Sequence, residues 1–211
     1  VPPRVAGLAT RAPQETLNMK LYIIGDSISL QWGPWLKSML DPSWQYARKE
    51  GEQEAMLNLD NPRGANGGDS SMVLAFMNGL RNRGGFRVDA MLINCGLHDI
   101  QLDVSTNRRA VTPEQYEQNL HAIVDCAGDL AERLVWVTTT SVDDELHLRR
   151  KAGFNRVQAD VVKYNAIARR VMTQRGVAML DLGGFSDRLG SGAAAYRDGV
   201  HYHEPIQKLQ A

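Results

Sequence analysis

Net charge is what this chain lacks most plainly. Its 211 residues carry 24 Lys and Arg against 24 Asp and Glu. No basic excess exists to track a phosphate backbone, so nucleic acid is not an expected partner. Cysteine is nearly absent as well. Cys95 and Cys126 are too few for a disulfide framework or a Cys-rich zinc site, and inert thiols are the expected reading of both. No apolar run approaches the ~18 residues of a membrane-spanning helix, so no membrane partner is expected. What remains is a hydrophobic fraction of 43% and a charged fraction of 23%, the composition of a folded chain rather than a disordered one. The length suits one compact domain with a core of its own.

Residues 1–18 contain Pro2, Pro3 and Pro13 and show no apolar period, so they read as an extension ahead of a single domain over 19–211. The extension has neither the basic start nor the continuous apolar core of a signal peptide. A periplasmic or secreted location therefore stays open only if a leader has already been removed. Beyond it the chain alternates short apolar runs with helical spacing. Leu21–Ile24, Trp44–Arg48, Val88–Asn94, Leu134–Thr140 and Val177–Leu182 read as strands. Helical spacing runs from Ile28 to Leu40, through Val73, Phe76, Met77 and Leu80, from Thr112 to about Arg133, and over Gln158–Arg175. Asp69 or Ser70 offers a cap for the second helix, and Thr112-Pro113-Glu114-Gln115 is a strong start for the third. Asn61–Gly68 reads as a loop, and Ser141–Asn155 as a polar, irregular one.

Strand–helix alternation throughout implies parallel strands with helices on both faces, and ligands in such sheets sit beyond the carboxyl ends of the strands. The first strand delivers Gly25-Asp26-Ser27-Ile28 into a helix start. A serine there has free N–H groups and a helix dipole nearby, which suits a nucleophile attacking a carbonyl, although an ordinary helix cap has the same look. Gly68-Asp69-Ser70 repeats the tripeptide, but only the first copy follows an apolar strand, so Ser27 is the candidate nucleophile and Ser70 a cap.

The serine needs a base, and Asp198-Gly199-Val200-His201 supplies an oriented imidazole after the last strand. The same Asp-x-x-His pattern recurs at Asp144 and His147, in the long polar loop, where it reads as a solvated surface pair. Oxyanion donors would come from the Ser27 N–H, a glycine of Asn66-Gly67-Gly68, and a side chain beyond Gly96. His98, His201 and His203 lack metal-ligand spacing, so no metal is expected. Trp32 and Trp35 share a helical stripe with Ile28 and Leu36 and read as core rather than as sugar-stacking surfaces.

Taken in order, Gly25-Asp26-Ser27-Ile28, Gly68, Gly96-Leu97-His98-Asp99 and Asp198-x-x-His201 resemble the motifs of the SGNH hydrolases, also called GDSL-type esterases and lipases. The likeness spans about Met19 to His203. It implies a flavodoxin-like three-layer α/β/α sandwich around a central parallel five-stranded sheet. It also implies a Ser27–His201–Asp198 triad without cofactor, and an oxyanion hole from Ser27 N–H, Gly68 N–H and the side chain at position 98. The family carries Asn at that last position, and this chain carries His98. An imidazole N–H can replace the amide donor; the other reading is that His98 only braces the turn through Asp99.

The expected function is a serine esterase that hydrolyses short acyl esters through an acyl-enzyme on Ser27. Resemblance to the carbohydrate-acting branch favours an acetylated saccharide as substrate. Two alternatives stand beside it: a catalytically weakened saccharide-binding protein of the same fold, and a metal-dependent hydrolase.

Overall fold

The structure is a computed structural model and describes residues 18–211; nearly all of the expected N-terminal extension lies outside the described residues. Strand β1 (Met19–Ile24) is buried over its last four residues, as a parallel strand covered on both faces must be. It runs into α1 (Ser27–Met39), whose cap is Asp26: its side chain accepts the Ile28 N–H. The chain continues through β2 (Trp44–Arg48), a short α2 (Glu52–Leu57) and α3 (Ser70–Arg83) into β3 (Val88–Ile93).

A small hairpin, β4 (Leu102–Asp103) and β5 (Arg108–Arg109), precedes α4 (Pro113–Leu130) and β6 (Ala131–Val137). Next come α5 (Asp144–Arg149), β7 (Phe154–Asn155), α6 (Gln158–Gln174) and β8 (Ala178–Leu180). Three short helices, α7 (Leu182–Asp187), α8 (Gly192–Ala195) and α9 (Glu204–Gln210), end the chain.

The five main strands are all parallel, in the order β2-β1-β3-β6-β8. From β1 the sheet grows one way to β2, then reverses and grows the other way through β3, β6 and β8. Right-handed crossovers therefore throw α1 onto one face and α3, α4 and α6 onto the other. The packing agrees: α4 lies against both α3 and α6, while α9 lies against α1 and α7. This is the expected flavodoxin-like three-layer sandwich with a five-stranded parallel sheet. The strand order reverses between β1 and β3, and the crevice beyond their carboxyl ends is where such a sheet takes a ligand.

Several local expectations change. Helix α4 stops at Leu130 rather than near Arg133, because Ala131 already pairs with Val88 and Arg133 with Ala90. Strand β8 ends at Leu180, since Asp181 turns its side chain to the Gly184 N–H and starts α7 at Leu182. Asp69, not Ser70, caps α3, accepting the Met72 N–H at 2.9 Å. The stretch read as an irregular loop over Ser141–Asn155 instead holds α5 and β7, and β7 joins β4 and β5 in a second, antiparallel sheet. The core is large and aromatic at its centre. Tyr116 and Tyr164 are fully buried with ring centroids 4.9 Å apart, and Trp32 is buried with them as expected. Trp35 is only half-buried, with Lys208 over its ring.

Candidate active site

Three backbone junctions build the site. The first is the β1–α1 turn, which leaves Ser27 at the first helical position, where its N–H has no intrahelical acceptor. Ser27 is nevertheless buried, as is Asp26. Burial raises the Asp26 carboxyl above its usual range despite the hydrogen bond from Ile28 N–H.

The second junction is the turn after β3. Asn94 fastens three strand ends, donating its backbone N–H to Ile24 O at 2.9 Å and its side-chain amide to Val137 O at 2.9 Å. Cys95 O accepts from the hydroxyls of Tyr116 and Thr139. Gly96 has φ +155°, and a Cβ there would lie 2.1 Å from Thr139 Oγ1, so only glycine passes this point. Cys95 is buried in this turn and Cys126 in α4; both are free, and burial pushes each thiol up.

The turn then presents His98 and Asp99. Asp99 accepts the Ser70 N–H at 2.9 Å and so braces the start of α3 from across the site. Its carboxyl is pushed up to about 7 by burial, against the pull of that hydrogen bond. His98 is 3% exposed, and neither ring nitrogen has a partner among the described residues. Burial, and next the Arg156 cation, hold it down to about 3, so near neutral pH the ring is uncharged and offers one donor and one acceptor.

The third junction is the turn after α8. Asp198 Oδ1 accepts the N–H groups of Val200 (3.1 Å) and His201 (2.9 Å). Asp198 Oδ2 lies 2.7 Å from His201 Nδ1, and His201 Nε2 lies 2.9 Å from Ser27 Oγ. Burial opposes ionisation of Asp198, but the hydrogen bond and charge of His201 outweigh it and hold the carboxyl well below its usual range. An ionised carboxylate only accepts, so Nδ1 carries the proton and Nε2 turns its lone pair to the serine hydroxyl. The turn is closed by Arg197 N–H to His201 O at 2.7 Å and pinned from outside by Asp143 N–H to Gly199 O at 2.8 Å.

Ser27, His201 and Asp198 thus converge from opposite ends of the chain. Gly68 also reaches the site, because Gly67 N–H donates to Gly25 O at 2.9 Å. Its own N–H, however, already donates to Asn66 Oδ1 at 3.0 Å, which the sequence did not foretell. Ser70 makes no cap; its hydroxyl accepts from Asn119. His147 is not solvated: it is 1% exposed, lies against Phe154 with ring centroids 5.7 Å apart, and is held down to about 4, first by burial. Asp144 instead accepts the Gln158 N–H at 2.6 Å. His203 is exposed at the start of α9 and meets Ala193 O. Among the described residues no three His, Cys, Asp or Glu side chains converge as a metal site requires, and no helix is long and apolar enough to cross a membrane.

A group absent from the sequence reading completes the surroundings. Arg156, 3% exposed, donates from Nε to Leu97 O at 2.7 Å and from Nη1 to Asp60 Oδ1 at 3.0 Å. Arg150 also grips Asp60, and its Nη1 lies 3.7 Å from Asp198 Oδ2. Burial would raise the Asp60 carboxyl, but the two guanidinium groups hold it down to about 2. No motif marks these residues; a buried arginine in a polar stretch looks like any other. Beside His201 and Asp198 opens a cleft of about 390 Å³, also lined by Met56, Leu57, Asp60, Arg150 and Arg197.

No family model matches the sequence, and no curated protein matches it. Solved structures do match its fold. An alpha/beta hydrolase enzyme, LAE5, from the metagenome of Lake Arreo, Spain, is 19% identical over 90% of each chain with a TM-score of 0.64. The lipase/acylhydrolase from Enterococcus faecalis is 17% identical over 90% of each chain, also at 0.64. Axe2, an acetylxylan esterase from Geobacillus stearothermophilus, is 15% identical over 91% of this chain and 90% of its own, at 0.63. At such identities the likeness is one of fold.

Proposed function

We propose that residues 19–211 form one catalytic domain of the SGNH hydrolase type, a serine esterase acting on short acyl esters. One observation carries the reading: the continuous relay from Asp198 Oδ2 through His201 to Ser27 Oγ, with contacts of 2.7 and 2.9 Å, at the point where the sheet reverses its strand order. A buried serine facing the lone pair of an oriented imidazole is the arrangement that nucleophilic acyl transfer requires.

Ser27 Oγ attacks the ester carbonyl carbon as its proton passes to His201 Nε2. Asp198 stabilises the imidazolium without taking the proton. The tetrahedral oxyanion is held by the Ser27 N–H and by a ring N–H of His98, whose nitrogens have no partner among the described residues. The Gly68 N–H joins them by sharing its hydrogen with Asn66 Oδ1. Collapse breaks the bond to the leaving alkoxide, which receives the proton from His201. Water then attacks the acyl-enzyme by the same path, releasing the acid and restoring Ser27.

An acetylated saccharide is the substrate we favour. The cleft beside His201 is lined largely by polar side chains, and an acetylxylan esterase stands among the structural neighbours.

The test is hydrolysis of p-nitrophenyl acetate and of acetylated xylan by the wild type and Ser27→Ala. Turnover in the wild type, lost by at least ~10³-fold in Ser27→Ala, is the expected result. Activity that survives in Ser27→Ala and falls to a chelator would replace this reading with a metal-dependent hydrolase. Saccharide binding without turnover in the wild type would make the protein a binding module. Because His201 must be neutral to act as base, the rate falls on the acid side, and a flat profile between about pH 4 and 8 would count against the triad.

A further inference from the structure

Asp60 sits in the loop between α2 and α3 and touches neither Ser27 nor His201, yet both sides of the site are tied to it. One of its cations, Arg156, holds the Leu97 carbonyl, one residue before His98. The other, Arg150, stands 3.7 Å from Asp198 Oδ2, the same oxygen that accepts the His201 Nδ1–H at 2.7 Å. A single carboxylate thus anchors the cation beside the triad acid and the cation behind the candidate oxyanion donor. We propose that Asp60, Arg150 and Arg156 form a positioning clasp that sets the electrostatics of the His201–Asp198 pair and locks it to the turn carrying His98. This inference rests on the esterase reading for its consequence in catalysis.

The contacts give the device its direction. Asp198 Oδ2 has two suitors, the His201 imidazole and the Arg150 guanidinium. Asp60 holds Arg150 off, so that His201 keeps the shorter bond. An arginine free to close would take the carboxylate by a bidentate contact, its preferred geometry, and would weaken the orientation of His201. While it is held back, the Arg150 cation still disfavours an imidazolium nearby.

The other charged and titratable groups around the pair come from every side. They are Asp26 at the start of α1, His98 after β3, His147 in α5, Arg156 after β7, and Arg197 in the same turn as His201. None of these groups is itself altered by a substitution at position 150, so Arg150→Met against the wild type reads the Arg150 charge, whereas a substitution at position 60 also takes away the Asp60 bond of Arg156.

Two substitutions should therefore move the acid limb of the kcat/KM profile in opposite directions. Arg150→Met removes a cation and should shift the limb to higher pH by about half a unit. Asp60→Asn removes an anion and leaves both arginines, so the limb should move to lower pH, with kcat falling and KM little changed. Arg150→Lys, which keeps the charge, should return the limb to the wild-type position. Arg150 is partly exposed, so its variants also test the clasp should Asp60→Asn fail to fold.

The pH at which the His201 ring signals titrate by NMR should shift in the same sense, and this readout needs no turnover. A moved ring titration in a protein inactive on esters would support the clasp while overturning the esterase reading. Active wild type and inert Ser27→Ala, with neither limb nor ring signal displaced in Arg150→Met, would overturn the clasp alone.

Discussion

At position 98 a buried imidazole whose two nitrogens have no partner among the described residues stands at the edge of the candidate site, and burial is costly for a polar group with nothing to bond. An oxyanion that arrives with the substrate would repay that cost. His98→Ala should then lower kcat by on the order of 10²-fold while changing KM little, as loss of an oxyanion donor does. His98→Asn should recover part of the rate, because an amide N–H reaches a similar point. Steady-state kinetics of the two variants settle it: an unaltered kcat in His98→Ala reduces the residue to packing. Since His98 is held down to about 3, it should add no second ionisation to the rate profile above about pH 4. The motif around residue 98 was legible in the chain, whereas its burial and its lack of partners were not. Nor was the engagement of the Gly68 N–H by Asn66, because which acceptor a loop amide finds depends on the folded loop.

Among the elements, the Asp198–His201 turn is the most tightly constrained. Gly199 adopts φ +88°, and a Cβ there would lie 2.5 Å from the His147 backbone nitrogen and 2.7 Å from Asp143 O. Backbone cannot step aside as a flexible side chain can. Gly199→Ala should therefore cost at least ~1–2 kcal/mol, from the left-handed conformation alone, and should also displace His201 from Ser27. Urea denaturation and esterase assays on one preparation check both effects; unchanged stability together with unchanged turnover would mean that α5 does not pin the turn. Sequence patterns located β1, α1, α6 and the start of α4 well, because their apolar patterns are clear and the caps of α1 and α4, Asp26 and Thr112, are local. They missed α2 and α5, each six residues, since one and a half turns show no readable period. They overran α4 because the competing claim on Ala131 comes from Val88, far back in the chain.

For the whole molecule, the buried titratable groups set a pH dependence of stability. His98 and His147 are held down to about 3 and about 4 from an ordinary 6.5. Below about pH 6.5 the unfolded chain binds protons at both positions and the native fold does not, so each group removes stability as the pH falls toward its native value. Asp99, pushed up to about 7 from 3.8, works the other way. Between those values the native fold keeps a proton that the unfolded chain has lost, so its contribution fades as the pH rises. One histidine is thus offset by Asp99. In His147→Gln, stability should depend less steeply on pH between about 4 and 6.5 than in the wild type, by up to ~1.4 kcal/mol per pH unit. Denaturation curves for both proteins across that range test the point, and parallel pH dependences would sink it.

The sequence by itself determined the parallel sheet with helices on both faces, the strand ends where a site must lie, and the candidates Ser27, Asp198 and His201. Those features rest on hydrophobic period, helix caps and the order of strands, all written in near neighbours along the chain. Tertiary structure alone decided that His147 is buried, that Gly68 bonds Asn66, and that Asp60 binds Arg156 across 96 positions of sequence. The physical reason is that a charge shows its role only when packing removes water from around it. Which charges lose their water depends on distant elements that no local pattern contains. The even balance of 24 positive and 24 negative residues excluded a basic surface, and it gave no sign of three charges gathered behind the site.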